Sequence, residues 1–296
     1  MKASKSASKT SRTYEVILTL PSRDNLSAEI LREVLCSTGF SLEEIVESIQ
    51  DQVLTFSLYA STLTDARRIE RLITNLNLQN ILISKRSLKV RDWQTRWKEE
   101  FQPFKITKQY LLVPAWKKDR YRNRDVKCIY IDSHLAFGTG MHPTTQCMSL
   151  LIERCAGRFC SFFDIGTGTG ILAVLAYRYG ARDIYAIDIT DSCVDCAKSN
   201  FERNHIPVPR IDVSDFKAYR KRTQYDFVAA NLVSFDLMQV GKKLVQCVRP
   251  GQYLAISGIS MDHYHSVRDY FKQYPLRCVR IERDQGWNAL LFKKYF

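Results

Sequence analysis

The sequence predicts an α/β protein in two parts, a small α+β domain followed by a doubly wound, mostly parallel sheet. Three observations predict it. Residues 13–88 pass through apolar runs in the order βαββαβ. From residue 111 onward, strand-like runs alternate singly with amphipathic helical runs, the habit of a parallel sheet. One stretch, Phe162-Phe163-Asp164-Ile165-Gly166-Thr167-Gly168-Thr169-Gly170-Ile171-Leu172, then runs from an apolar strand through an acid and three alternating glycines into an apolar helix. Glycine at such a turn lets the backbone adopt geometries that a Cβ obstructs and come close to a ligand.

Tyr14–Leu20 is rich in β-formers and ends at Pro21, so it reads as a strand. Asp24–Gly39 puts Leu26, Ile30, Leu31, Val34 and Leu35 on one helical face, with Gly39 as the stop. Ile45–Ile49 and Val53–Tyr59 read as strands joined at Asp51-Gln52. Thr64–Leu76 is a second helix with Ile69, Leu72, Ile73 and Leu76 facing in, and Ile81–Ser84 is a last strand. The order is that of the ferredoxin-like, split βαβ arrangement, which carries many functions. Residues 1–12 are expected to be a disordered basic tail. Their Ser-rich, acid-free composition is also that of a targeting peptide, although an apolar face is missing. Residues 89–110, with Trp93, Trp97, Phe101 and Phe104 and no glycine, read as a stiff, partly helical connector that clamps two domains.

Residues 111–296 form the second domain. Leu111–Pro114 and Cys128–Ile131 read as strands, and Thr144–Cys155 as a helix opened by Pro143. After the glycine turn come a helix over 170–179, a strand over 184–188, a helix over 191–203 and a strand over 227–231. A helix over 235–248 is expected to stop at Pro250-Gly251, followed by strands at 253–257, 279–283 and 290–293.

Composition sets bounds on partners. An apolar share of 45% and a charged share of 25% are ordinary for a globular chain of 296 residues. No apolar run approaches the length of a membrane span, so no membrane association is expected. The net charge of +13 suits an acidic or nucleic-acid-rich neighbourhood as well as a solubilising surface. Nine scattered cysteines suggest free thiols in a reducing compartment. Cys193-x-x-Cys196 lacks the second ligand pair that a zinc site needs, so both are expected to pack within a helix, and no metal is expected.

The glycines select among ligands. Gly166-x-Gly168-x-Gly170 departs from the dinucleotide pattern, whose third glycine would fall at Ile171, and no Gly-Lys-Ser/Thr follows to cradle a phosphate. Asp164, two residues before the first glycine, suits a ligand with an ammonium group. Asp188, 20 residues after Gly168 and ending the next strand, suits a ribose diol. S-adenosylmethionine fits both better than a dinucleotide, and the alternative is a fold that has lost its cofactor. Ala136-Phe137-Gly138-Thr139-Gly140-Met141-His142-Pro143-Thr144-Thr145 could close over that cofactor, or serve as an ordinary loop capping a helix through Thr144 or Thr145. Asn231 and the Leu232 carbonyl could accept hydrogen bonds from a substrate amine, although Asn after a strand is also a common turn residue.

Together these segments resemble the ribosomal protein L eleven methyltransferase family, PrmA. The resemblance rests on Asp92-Trp93, Trp97-Lys98, Phe101, Pro103-Phe104, Val113-Pro114, Trp116, Leu135–Gly140 with His142-Pro143-Thr144-Thr145, Asp164–Leu172, Ala230-Asn231-Leu232 and Ser257-Gly258-Ile259. It covers most of residues 90–293, and Ala-Phe-Gly-Thr-Gly-x-His is its most specific part. Asp132-Ser133-His134 stands where the family usually has Asp-Pro-Gly, and Thr167 where it often has Cys.

The resemblance implies a cytoplasmic, S-adenosylmethionine-dependent, Rossmann-like enzyme that methylates α-amines and lysine side chains of a large-subunit ribosomal protein. It implies that Phe137, Gly138, Thr139 and Thr144 contact the cofactor with Asp164, Gly166, Gly168, Gly170, Asp188 and Asn231. It also implies that Asn231 and Leu232 receive the amine, and that the ferredoxin-like domain grips the substrate. A monomer with possible ribosomal RNA contact is expected. An RNA N-methyltransferase, or a non-catalytic ribosome-associated protein, are the alternative readings.

Overall fold

Alternating β-branched and aromatic residues set the N-terminal sheet. In β1 (Arg12–Pro21), Val16, Leu18 and Leu20 share a face and are buried, the period-two pattern of a half-buried strand. β2 (Ile45–Gln50), β3 (Val53–Ala60) and β4 (Leu82–Lys89) complete an antiparallel sheet in the order β2-β3-β1-β4. β4 is longer than Ile81–Ser84 suggests because Ser84–Lys89 continues its ladder with β1. α1 (Leu63–Asn75) is opened by Thr62, whose Oγ1 accepts the Asp65 backbone N–H at 3.1 Å. Its Ala66, Ile69 and Ile73 recur at helical spacing and join Val16, Leu18, Phe56 and Leu58 in one core.

The computed structural model describes residues 12–21, 31, 45–50, 53–60, 62–76, 78, 80–89, 102–121, 126–132, 140–220 and 223–295. The helix expected over 24–39 lies outside them except for Leu31, which is helical and buried. The Trp93, Trp97 and Phe101 part of the expected connector lies outside them as well.

Two compact units divide at Phe101 and Gln102. In the second, β5 (Phe104–Lys105) pairs with β6 (Tyr110–Pro114), which runs parallel to β7 (Lys127–Ile131). The strands expected at 111–114 and 128–131 therefore stand in a separate three-stranded sheet, not in the large one. Between them, the described residues form a 3-10 turn, Ala115–Arg120.

The large sheet has the order β10-β9-β8-β11-β12-β14-β13. β8 (Ser161–Ile165), β9 (Asp183–Asp188), β10 (Arg210–Val213), β11 (Tyr225–Asn231) and β12 (Val248–Ser260) are parallel. β13 (Leu276–Asp284) and β14 (Trp287–Lys294) form an antiparallel hairpin on β12. The helices are α2 (Pro143–Arg154), α3 (Ile171–Arg178), α4 (Asp191–Arg203), α5 (Ser234–Gln246) and α6 (Tyr264–Phe271). All of β8 is buried, as in a strand covered on both faces. Phe163 stacks on Tyr185 with ring centroids 5.0 Å apart, and its neighbour Phe162 stacks on Phe227 at 5.3 Å.

β10 and α6 go unread in the sequence. β10 has four residues and buries only Ile211, and α6 has eight, too few for a firm period. Pro250-Gly251 does not stop a helix. α5 ends at Gln246, and the pair lies within β12, where Tyr225↔Val248 shifts to Phe227↔Tyr253. Proline has no N–H for a ladder, so it is tolerated at such an irregularity. The chain steps outward from β8 to β9 to β10, then returns to put β11 on the other side of β8. The carboxyl ends of β8 and β11 thus flank the reversal point, where doubly wound sheets bind ligands.

Candidate cofactor and amine site

At that reversal point β8 ends in the glycine turn. Gly166, Gly168 and Gly170 have φ of 71°, 53° and 78°, the left-handed region. The Gly166 and Thr167 N–H groups both donate to the Ile187 carbonyl at 3.0 Å, tying the turn to β9. A Cβ at Gly170 would stand 3.0 Å from the Ala197 Cβ, so the turn needs glycine there to pack on α4.

Asp164 is 1% exposed. Its Oδ2 accepts the Thr167 hydroxyl at 2.8 Å, and its Oδ1 is buried with no hydrogen-bond partner. Burial pushes this carboxyl up to about 7; the Thr167 hydroxyl pulls it back in part, nearby Asp188 raises it again, and the Ala173 backbone N–H lowers it slightly. A buried carboxylate oxygen lacking a donor fits a ligand ammonium. Asp188, at the end of β9, accepts the Gly168 N–H at 2.9 Å on Oδ2 and the Thr190 N–H and hydroxyl at 3.2 Å on Oδ1. Each carboxylate oxygen has two lone pairs, so this aspartate both fixes the turn and retains acceptor capacity for a diol. The residues present therefore fit S-adenosylmethionine.

Asn231 ends β11 beside the turn, and its Nδ2 donates to Thr144 Oγ1 at 3.2 Å. With one amide N–H engaged, the side-chain oxygen remains as a hydrogen-bond acceptor. Thr144 Oγ1 also lies 2.7 Å from His142 Nδ1. The capping expectation needs correction: His142, not Thr144 or Thr145, caps α2, its Nδ1 accepting the Thr144 N–H at 3.3 Å. The His142 ring meets Trp287 edge-on at 5.1 Å. His142 thus helps hold the threonine that hydrogen-bonds Asn231. Leu232 donates its N–H to the Ser257 carbonyl at 3.1 Å, and its side chain borders Gly166.

Phe137, Gly138 and Thr139 lie outside the described residues. The start of their loop is held by a residue that sequence reasoning missed. Asn200, fully buried on α4, donates to the Asp132 and Thr169 carbonyls at 2.9 Å and accepts the Asp132 N–H at 2.9 Å. Asn204, one turn on, binds both the Tyr130 N–H and its carbonyl. Their four-residue spacing is the only sequence signal, and it does not name the partner. Cys193 and Cys196 pack together inside α4, and burial pushes the Cys196 thiol up to about 11, far from redox reactivity. Among the described residues no cluster of His, Cys, Asp or Glu could hold a metal.

Residues 18–295 match the family model described as ribosomal protein L11 methyltransferase (PrmA). Ribosomal protein L11 methyltransferases of Staphylococcus aureus strains MRSA252 and JH1 are each 30% identical over 222 residues, covering 75% of this chain and 71% of theirs. The crystal structure of a ribosomal protein L11 methylase from Lactobacillus delbrueckii subsp. bulgaricus superposes with a TM-score of 0.61 at 24% identity. That match covers 66% of this chain and all of the other, and shows a shared fold.

Proposed function

From the premise that this chain belongs to the ribosomal protein L11 methyltransferase (PrmA) family, we propose how its residues perform the family's reaction. The protein transfers methyl groups from S-adenosylmethionine to amino groups of a large-subunit ribosomal protein. Bound at the glycine turn, the cofactor supplies a methyl group already activated by its sulfonium. Asp164 Oδ1 receives the ammonium, and Asp188 the ribose. Phe137, Gly138 and Thr139 cover the site, and Thr144 supports it.

The Asn231 amide oxygen and the Leu232 carbonyl accept the two N–H bonds of a neutral amine, which aims its lone pair along the transfer axis. Positioning of this kind, with exclusion of water, supplies most of the rate enhancement. A lysine amine, with a pKa of about 10.4 in water, must reach the site deprotonated, and desolvation there favours the neutral form. Residues 13–88 are read as the domain that grips the protein substrate, and 89–110 as its connector. The enzyme is read as a cytoplasmic monomer. No helix among the described residues is long and apolar enough to cross a membrane, and the charge of +13 suits work near ribosomal RNA.

The observation that supports the reading is the Asn231–Thr144 hydrogen bond, which engages an amide N–H and leaves the oxygen as an acceptor at the end of the strand beside the glycine turn. Labelled methyl transfer to purified ribosomal proteins and to ribosomal RNA tests it, with Asn231→Ala beside wild type. Label is expected in one large-subunit protein, with the rate down about 100-fold in Asn231→Ala and S-adenosylhomocysteine affinity within about threefold. Undiminished transfer by Asn231→Ala would remove its assigned role, and label in RNA alone would favour an RNA methyltransferase.

A further inference from the structure

We propose that Gly258 is a positioning residue for the methyl-transfer step, because its lack of a side chain fixes the Leu232 carbonyl. The proposal rests on the reading above that this carbonyl receives the amine. Ser257-Gly258-Ile259 lies where β12 departs from its ladder with β14: Ser257 pairs with Ala289, and Ile259 with Asn288. The extra residue is Gly258, at φ +88°, a bulge of the kind that re-aims groups beside active sites. A Cβ there would lie 2.0 Å from the Leu232 oxygen and 2.6 Å from its carbonyl carbon. No side chain fits that gap, and the obstacle is backbone rather than the far end of a flexible side chain.

The two strands are locked around this contact. The Leu232 N–H donates to the Ser257 carbonyl at 3.1 Å, and Ser234 Oγ reaches the Gly258 carbonyl at 3.4 Å. On the far side, Ser257 Oγ donates to the Asn288 carbonyl at 2.9 Å, and Asn288 Nδ2 to the Ile259 carbonyl at 3.2 Å. Ser257 and Asn288 are fully buried, so the bulge cannot retreat when something is added at its tip. The yielding part is the Leu232 peptide, which follows Asn231 at the end of β11. One flank of the Leu232 oxygen rests on the bare α-carbon of Gly258, and its second lone pair serves the amine. Nothing in the Asp164, Asp188 and glycine-turn set hydrogen-bonds to Gly258; the Leu232 side chain borders the turn at Gly166, but the atoms a Cβ would displace are those of the Leu232 carbonyl, so the effect is expected on the amine side of the site.

The test is Gly258→Ala in the full chain, with S-adenosylhomocysteine affinity, melting temperature and kcat on the ribosomal protein measured together. The expected result is affinity within about threefold of wild type with kcat down about 100-fold, the scale of a misplacement near 1 Å. Ser234→Ala, which adds no bulk and only frees the Gly258 carbonyl, is expected to lower kcat about threefold to tenfold with unchanged affinity. It stands as the measurement should Gly258→Ala not fold. Wild-type kcat in either folded variant, or parallel loss of kcat and cofactor affinity, overturns the proposal. If Asn231→Ala is impaired while these variants are not, only the role of Gly258 falls. If all three keep wild-type kcat, the amine-site reading falls with it.

Discussion

On the proposed reading, one buried carboxyl, Asp164, couples the stability of the protein to the binding of its cofactor. Its folded pKa is about 7, raised chiefly by burial, so folding takes up a proton between the ordinary carboxyl range and that value. The stability it contributes is complete at low pH and is lost as pH rises toward about 7. An ammonium beside Oδ1 would ionise it, so cofactor binding should release close to one proton near pH 6 and almost none near pH 8.5. Calorimetry in buffers of different ionisation heats reads this directly, and equal release at both pH values would contradict it. Asp164→Asn removes the buried charge. We expect it to melt no lower than wild type near pH 8 without ligand, yet to bind S-adenosylhomocysteine at least about tenfold more weakly. This residue was legible in the sequence because an acid and three glycines at fixed spacing report backbone geometry. The role of His142 was not, because it depends on Trp287 reaching it from the far end of the chain.

α4 does more than cover the sheet. Two of its polar residues, Asn200 and Asn204, are buried, and Asn200 joins the Asp132 backbone to Thr169 in the glycine turn. Asp132, which precedes the proposed cofactor loop, and the glycine turn are therefore fastened by one side chain. Asn200→Ala leaves several buried backbone groups unmatched, each costing roughly 1–3 kcal/mol. The expected result is a lower melting temperature and a KM for S-adenosylmethionine raised at least about tenfold, with a smaller change in kcat. Asn204→Ala breaks the hold on Tyr130 but not on Thr169, so it should lose stability while leaving that KM within about threefold. A KM change of equal size in both variants would count against the fastening role. Elements with a full period and clear ends, such as α4 and β11, were readable from residues alone. β6 and β7 were readable as strands but not as members of a separate sheet, because strand pairing depends on what covers each face. β10 was unreadable because its one buried residue, Ile211, leaves no alternation to see.

The molecule is built of two units with separate cores. Val16, Leu18, Phe56, Leu58 and Ile69 centre the first, while Phe163, Val228, Leu237 and Leu254 belong to the second. Every described residue of the proposed cofactor and amine site lies in Gln102–Phe296. Substrate grip is assigned to residues 13–88, so the two functions should separate on cutting. A fragment spanning 102–296 keeps the seven-stranded sheet, the glycine turn, Asn231 and Gly258, and should fold and bind S-adenosylhomocysteine within about threefold of the full chain. What it loses is the surface that raises the local concentration of the substrate amine. Methyl transfer to the intact ribosomal protein should then fall by about 100-fold or more in kcat/KM, the scale set by effective concentration. Transfer to a short peptide bearing the same amine, too small to use both units, should fall far less. Labelled transfer to the two substrates, run with fragment and full chain, gives four rates whose pattern decides. An equal loss on peptide and protein would place the defect in the catalytic unit. No loss on either would show that residues 13–88 do not grip the substrate.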